Sequence, residues 1–222
     1  MILNFHGIGE PTQAARSLEQ GEADYWISVD TFRVIMDRIA EAISSGQSVG
    51  ITFDDGNRSD IEVGLPVLLE RGLTASFFVL AGRLGSPGSL DSEEVQTLAA
   101  AGMTIGSHGH DHVDWRRLDH AGTVAEFMTA RQRLEAIVGA PVDQAAIPFG
   151  AYDRRVLTAL RRHGYRCVFT SDGGRAGAGW LRARTTVRRD MKVATIDRIL
   201  SGRESVGHRG RRKLGQLKKR FF

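Results

Sequence analysis

Short apolar runs alternate along this chain with longer segments whose apolar residues recur at helical spacing, and a glycine closes most of the latter. That alternation limits the fold more than any other feature. The apolar runs predict strands at 1–5, 48–53, 74–80, 103–106, 144–147, 165–170 and 184–188. Between them, Phe32, Ile35, Met36, Ile39 and Ile43 form a helical stripe behind a Ser28 cap. Ile61, Leu65, Leu68 and Leu69 form a second stripe, stopped by Gly72. Asp91 or Ser92 caps a third segment, which Gly102 ends. Val124, Phe127, Met128, Arg131 and Leu134 run to Gly139, and Val156, Leu157, Leu160 and Arg161 run to Gly164. Repeated strand-then-helix units build a parallel sheet with right-handed crossovers. About seven such strands suit an irregular α/β barrel better than a short open sheet. Residues 7–27 form a polar loop long enough to be functional.

A chain of 222 residues is one domain's length, and the charge divides it further. Residues 203–222 hold eight Lys/Arg against Glu204, a balance of +7 that leaves the other 202 residues at −3. The expected organisation is a domain over 1–202 followed by a basic tail over 203–222. A mildly acidic body argues against a nucleic-acid partner, which would require a basic face. In the tail, Leu214, Leu217 and Phe221 share helical spacing among cations, a pattern that fits peripheral contact with an anionic membrane. A mobile basic tail or a docked terminal helix fits it equally. No apolar run approaches the roughly 20 residues of a membrane span. The N-terminus lacks a basic, cleavable leader, so a cytoplasmic location is expected. The single cysteine, Cys167, leaves neither an intrachain disulfide nor a multi-cysteine metal site.

In parallel α/β folds, sites gather at the C-terminal ends of strands, where loops are free to vary. His6 follows the first predicted strand, Thr52-Phe53-Asp54-Asp55-Gly56 the second, Ser107-His108-Gly109-His110-Asp111-His112 the fourth and Pro148-Phe149-Gly150 the fifth. Adjacent aspartates on a strand point opposite ways, so one can bind a metal while the other faces a water. The pair also reads as turn chemistry ahead of a helix. Three histidines in five residues read as metal ligands or as a solvated loop. Taken together, the two groups favour a two-His, one-carboxylate site with positions left open for water and substrate.

At these residues the chain resembles the polysaccharide deacetylases, the NodB-like domains of carbohydrate esterase family 4. The likeness runs from about residue 2 to 190. Thr52-Phe53-Asp54-Asp55-Gly56 matches the family's first motif unchanged. His108 and His112, after Ile105-Gly106-Ser107, match its H-[S/T]-x-x-H motif, and Pro148-Phe149-Gly150 resembles the core of R-x-P-[Y/F]-G. The resemblance implies a distorted (β/α) barrel. It assigns a divalent metal, zinc in most members, to Asp55, His108 and His112, with His110 outside the set. It makes Asp54 the general base and the Phe149 backbone N–H an oxyanion donor, with Pro148 and Gly150 beside the substrate. Three departures stand out. Gly109 replaces the Ser/Thr whose hydroxyl could brace the loop. Ala146 stands where the third motif carries Arg, so the usual Arg clamp on the base is expected to be absent. The late L-x-H motif has no match after residue 165, and His6 is expected to serve as acid in its place. Asp172 and Arg184 are candidates to orient the base or the substrate.

The implied reaction is metal-dependent removal of an N-acetyl group from an amino sugar in a polysaccharide, oligosaccharide or glycan precursor. An amidohydrolase or esterase for a non-sugar acyl group is the first alternative. A non-catalytic carbohydrate-binding relative is the second, which the missing Arg and late histidine favour and the intact Asp54, Asp55, His108 and His112 oppose. Tyr25, Trp26, Trp115 and Trp180 either stack on sugar rings or pack inward.

Overall fold

The computed structural model describes residues 1–174, 177–202 and 219. Eight strands form one all-parallel sheet: β1 (Ile2–Phe5), β2 (Gly50–Asp55), β3 (Ser76–Val79), β4 (Thr104–Ser107), β5 (Gln144–Ala146), β6 (Cys167–Thr170), β7 (Leu181–Ala183) and β8 (Thr185–Thr186). Their order is β7-β6-β5-β4-β3-β2-β1-β8, so the two edges are consecutive in sequence and separated only by Arg184. β7 pairs with β6 and β8 with β1. This short run therefore crosses from one edge to the other and nearly closes the sheet into a barrel. β8 falls within the expected seventh strand, 184–188, whereas β7 precedes that range and was not expected; it raises the count to eight.

The α-helices placed among the described residues are α1 (Val29–Ser44), α2 (Leu65–Glu70), α3 (Ser92–Ala100), α4 (His120–Val124), α5 (Ala130–Val138), α6 (Arg154–Arg162) and α7 (Val193–Leu200). Ser28 caps α1 by accepting from the Thr31 N–H at 3.2 Å. Asp91 and Glu94 close a reciprocal capping box on α3. Such caps are each worth about 1 kcal/mol. α2 begins with a π-turn over Asp60–Gly64, and a second π-turn over Ala125–Thr129 joins α4 to α5. The single apolar stripe predicted from Val124 to Leu134 therefore passes through three helical pieces.

Strand alternation separates two packing regions. Leu3, Phe5, Ile51, Phe53 and Phe77 face the helices, with Phe53 stacked on Phe77 at 4.6 Å and Phe5 edge-on to Phe32 of α1. The opposite face turns into the barrel, where Ile2, Phe78, Ala146, Cys167 and Phe169 pack together. Phe78 lies in register with Gly106, and a Cβ at Gly106 would meet its ring at 2.4 Å. A large aromatic in one strand thus requires glycine in the next. Above this apolar plug the interior becomes polar, through Asn4, Thr52, Asp54 and Arg184.

Candidate active site

The C-terminal strand ends open into a cleft of about 590 Å³, which His6, Asp54, Asp55, His108, His112 and Phe149 all line. The residues expected to work together, scattered from 6 to 149 in sequence, share one rim.

The two aspartates diverge as strand alternation requires. Asp54 continues the inward face of β2, whereas Asp55 takes a left-handed φ of 76° and swings towards the histidines. A β-strand aspartate at positive φ is strained, and strain of this kind persists only where surrounding structure imposes it. Asp55 Oδ1 lies 3.4 Å from His108 Nε2 and 3.5 Å from His112 Nε2. It is buried and has no hydrogen-bond partner.

The outer nitrogens of both imidazoles are committed elsewhere. His108 Nδ1 lies 2.8 Å from the Ala146 carbonyl, which can only accept, so in the neutral ring Nδ1 carries the proton and Nε2 holds the lone pair. His112 Nδ1 sits 3.0 Å from both carboxylate oxygens of Glu19, with the same consequence. Asp55, His108 and His112 therefore offer three ligand atoms within 4.8 Å of one another. Burial alone would lower the His108 pKa, yet Asp54 and Asp55 raise it above the ordinary histidine value. Against the effect of its burial, His108, His6 and His112 hold Asp55 well below the ordinary carboxylate range. The pocket thus draws positive charge. An orphaned carboxylate oxygen, two oriented imidazole lone pairs and that field fit a divalent cation. His110 stays apart, bonded to Asp111 at 2.7 Å.

Asp54 is held from below. Arg184 grips it through two bonds, Nη1 to Oδ1 at 2.6 Å and Nη2 to Oδ2 at 2.7 Å. Asn4 Nδ2 donates to Oδ2 at 2.9 Å, while Asn4 Oδ1 accepts from Thr52 Oγ1 and from Arg184. Burial pushes the Asp54 pKa up; Arg184, His108 and His6 together bring it below the ordinary value. Two expectations change here. The Arg clamp is present, supplied by the barrel-closing residue Arg184 while Ala146 packs in the apolar plug. Arg184 itself is fully buried and so orients Asp54; it is no part of the substrate-facing wall. The side-chain positions of Pro148 and Gly150 are likewise buried and lie behind the residues that line the cleft. Between them, Phe149 is 59% exposed, with a left-handed backbone at φ 57° and its ring 4.4 Å from His112. Asp172 does line the cleft.

His6 stands in the cleft wall beside the Tyr25 ring, with Nδ1 buried and without a partner. Burial lowers its pKa below the ordinary histidine value, against the pull of Asp55 and Asp54. Trp26 and Trp115 pack inward, leaving Tyr25 of the four singled-out aromatics at the cleft.

Sequence reasoning missed Glu19 and Glu126. Glu19 comes from the long polar loop, accepts from Arg83 as well as from His112, and fixes the ring that His112 presents. The length of that loop was its only signal. Glu126, in the second π-turn, is buried and accepts from the backbone N–H groups of His110 and Asp111 and from Trp115 Nε1. This carboxylate braces the histidine loop, the role expected of a hydroxyl at position 109. Gly109 has φ 88°, and a Cβ there would lie 2.1 Å from Glu126 Oε2, so this loop has no room for Ser or Thr.

A nearly closed parallel barrel with a carboxylate–bis-imidazole cradle beside a clamped acid defines an α/β barrel with a candidate metal site. Residues 42–168, more than half of the chain, match the family model for polysaccharide deacetylase, and the chain belongs to this NodB-like family. It is 24% identical over 182 residues to YxkH of Bacillus subtilis (strain 168), named for the same family. That match covers 79% of this chain and 65% of YxkH. It is 28% identical over 130 residues to a chitin deacetylase of Pestalotiopsis sp, covering 59% of this chain and 43% of that protein. The chain thus spans less than two thirds of the length of either relative. The deacetylase PplD of Streptococcus pyogenes, solved with acetate, shares the fold at a TM-score of 0.72 and 20% identity. That likeness covers 92% of this chain and 97% of PplD. No described helix is long and apolar enough to cross a membrane. The expected membrane-binding stripe of the tail lies outside the described residues.

Proposed function

We propose that the chain is a metal-dependent hydrolase that removes N-acetyl groups from an amino sugar within a polysaccharide, oligosaccharide or glycan precursor. The observation that carries this reading is Asp55, His108 and His112 converging beside Asp54 in one cleft. The names of the chitin deacetylase and of the other family relatives support the acetylated-sugar class.

Asp55, His108 and His112 would hold the ion, and an N/O donor set with three protein ligands suits zinc. When bound, such an ion supplies Lewis-acid polarisation of the acetyl carbonyl and a lowered pKa for water. Asp54 accepts the proton of the attacking water. Its Oδ2 already takes two hydrogen bonds, from Arg184 and Asn4, whereas Oδ1 takes one, from Arg184. Oδ1 therefore keeps a lone pair for that proton. The Arg184 fork holds the carboxylate ionised and stops it rotating. The Phe149 N–H donates to the developing oxyanion, a contribution of about 3–4 kcal/mol for one such donor. His6 protonates the departing nitrogen, because an amide nitrogen leaves poorly as an anion. Its lowered pKa makes its protonated form a stronger acid. The products are acetate and a free amine.

The test is acetate release from N-acetylated oligosaccharides by purified protein, alongside metal analysis. Asp54→Asn should retain the metal and lose turnover by about 10²–10⁴-fold. Full activity in that variant would remove Asp54 from the role.

A further inference from the structure

The cleft wall carries a carboxylate that the reaction above does not use. Asp172 follows β6 and lines the cleft wall. Its Oδ2 accepts from Tyr152 Oη at 2.6 Å and from Thr170 Oγ1 at 2.9 Å, which fixes the carboxylate. Its Oδ1 accepts from the ammonium of Lys219 at 2.8 Å. The same ammonium donates to the Gly150 carbonyl at 3.0 Å and lies 5.2 Å from the centroid of the Tyr152 ring. A carboxylate, a carbonyl and an aromatic face around one point is a receptor for a primary ammonium.

The other cleft carboxylates have cations or imidazoles of the barrel and its loops. Among the described residues, Glu19 pairs with Arg83, Glu22 with Arg16, Asp24 with Arg188 and Asp54 with Arg184. Asp55 faces the two imidazoles. Asp172 instead takes its cation from Lys219, 19 residues beyond the end of α7 in sequence. The carboxylate is 6% exposed, whereas the Lys219 side chain is 40% exposed. The receptor is therefore built into the barrel, and its occupant arrives on a long, half-solvated stem.

We infer that Asp172 Oδ1, the Gly150 carbonyl and the Tyr152 ring form an ammonium-binding subsite of the cleft. Lys219 occupies it in the resting chain, and the free amino group of a deacetylated sugar replaces Lys219. The ammonium chemistry stands on these contacts alone; the sugar as its source rests on the proposed hydrolase reading. The amine comes either from a neighbouring, already deacetylated unit of the glycan or from the product itself.

The experiment is calorimetric titration of the full chain with a glucosamine tetrasaccharide, its fully N-acetylated counterpart and glucosamine monosaccharide, at a pH where the amines are charged. If Lys219 fills the pocket most of the time, Lys219→Met should tighten binding of the glucosamine tetrasaccharide roughly 5–10-fold. The N-acetylated form should be unaffected. Adding Asp172→Asn to that variant should abolish the gain. The same gain with the monosaccharide assigns the amine to the product; a gain confined to the tetrasaccharide assigns it to a neighbouring unit. Unchanged binding in Lys219→Met, or equal changes for amine and acetamide forms, would overturn the inference. Acetate release, measured in parallel, separates the two readings. Ammonium preference without acetate release refutes the hydrolase and keeps the subsite, whereas acetate release without ammonium preference refutes only the subsite.

Discussion

Replacing Arg184 with Met removes the charge that neutralises Asp54 while keeping a long apolar stem to fill the barrel. The pair is buried on both sides, with side-chain exposures of 0% for Arg184 and 4% for Asp54. Breaking a buried pair by deleting one partner costs about 3–5 kcal/mol, because the remaining charge has lost its compensation. At about 2–4 °C per kcal/mol for a domain of this size, the melting temperature should fall by about 6–20 °C. The loss should depend on pH. In the parent chain Asp54 titrates below its ordinary value, so its stabilising contribution is present above the unfolded-state pKa, about 4, and fades as pH falls through the depressed folded value. Without Arg184 the effect of burial is opposed by His108 and His6 alone, so the folded pKa rises and the neutral carboxyl is favoured over a wider pH range. The variant then loses stability as pH rises through that raised value. The gap between the two melting curves should be widest near pH 7–8 and narrow towards pH 4, measured by circular dichroism in chelator. Arg184→Lys keeps the charge but not the fork, and should lose less. A gap of the same size at pH 4 and pH 8, or no gap, would refute the claim that Arg184 acts by charging and holding Asp54.

Three further outcomes are expected. Glu19→Gln should weaken divalent-metal affinity about 10–100-fold in calorimetry, since a carboxylate behind a ligating imidazole orients it and raises its basicity; unaltered affinity would reduce Glu19 to a partner of Arg83. Gly109→Ser, which restores the motif's hydroxyl, should lower stability by at least about 1–3 kcal/mol through positive φ and collision with Glu126, and a raised melting temperature would contradict this. His6→Ala should slow amide substrates more than activated acetyl esters, whose leaving groups need no proton; equal losses would argue against its role as acid.

The barrel was legible because its signals are local. Apolar runs, stripes and caps depend on neighbours a few residues away; the caps at Ser28 and Asp91 fell where expected, whereas β7 was missed and the Val124–Leu134 stripe is interrupted by a π-turn. The cluster of Asp54, Asp55, His108 and His112 was equally readable, since parallel strands deliver whatever follows them to one rim. The clamp was misread because Ala146 occupies the position where the motif carries Arg. No short-range pattern says that Arg184, 130 residues from Asp54, reaches the same carboxylate. Glu19 and Glu126 were hidden for the same reason: each acts through a contact across the fold. Composition and periodicity thus determined the alternation of strand and helix and the chemistry offered at the strand ends. Barrel closure alone decided which buried charges meet, because pairing a carboxylate with its cation is a matter of distance in space, and burial makes that distance energetically decisive.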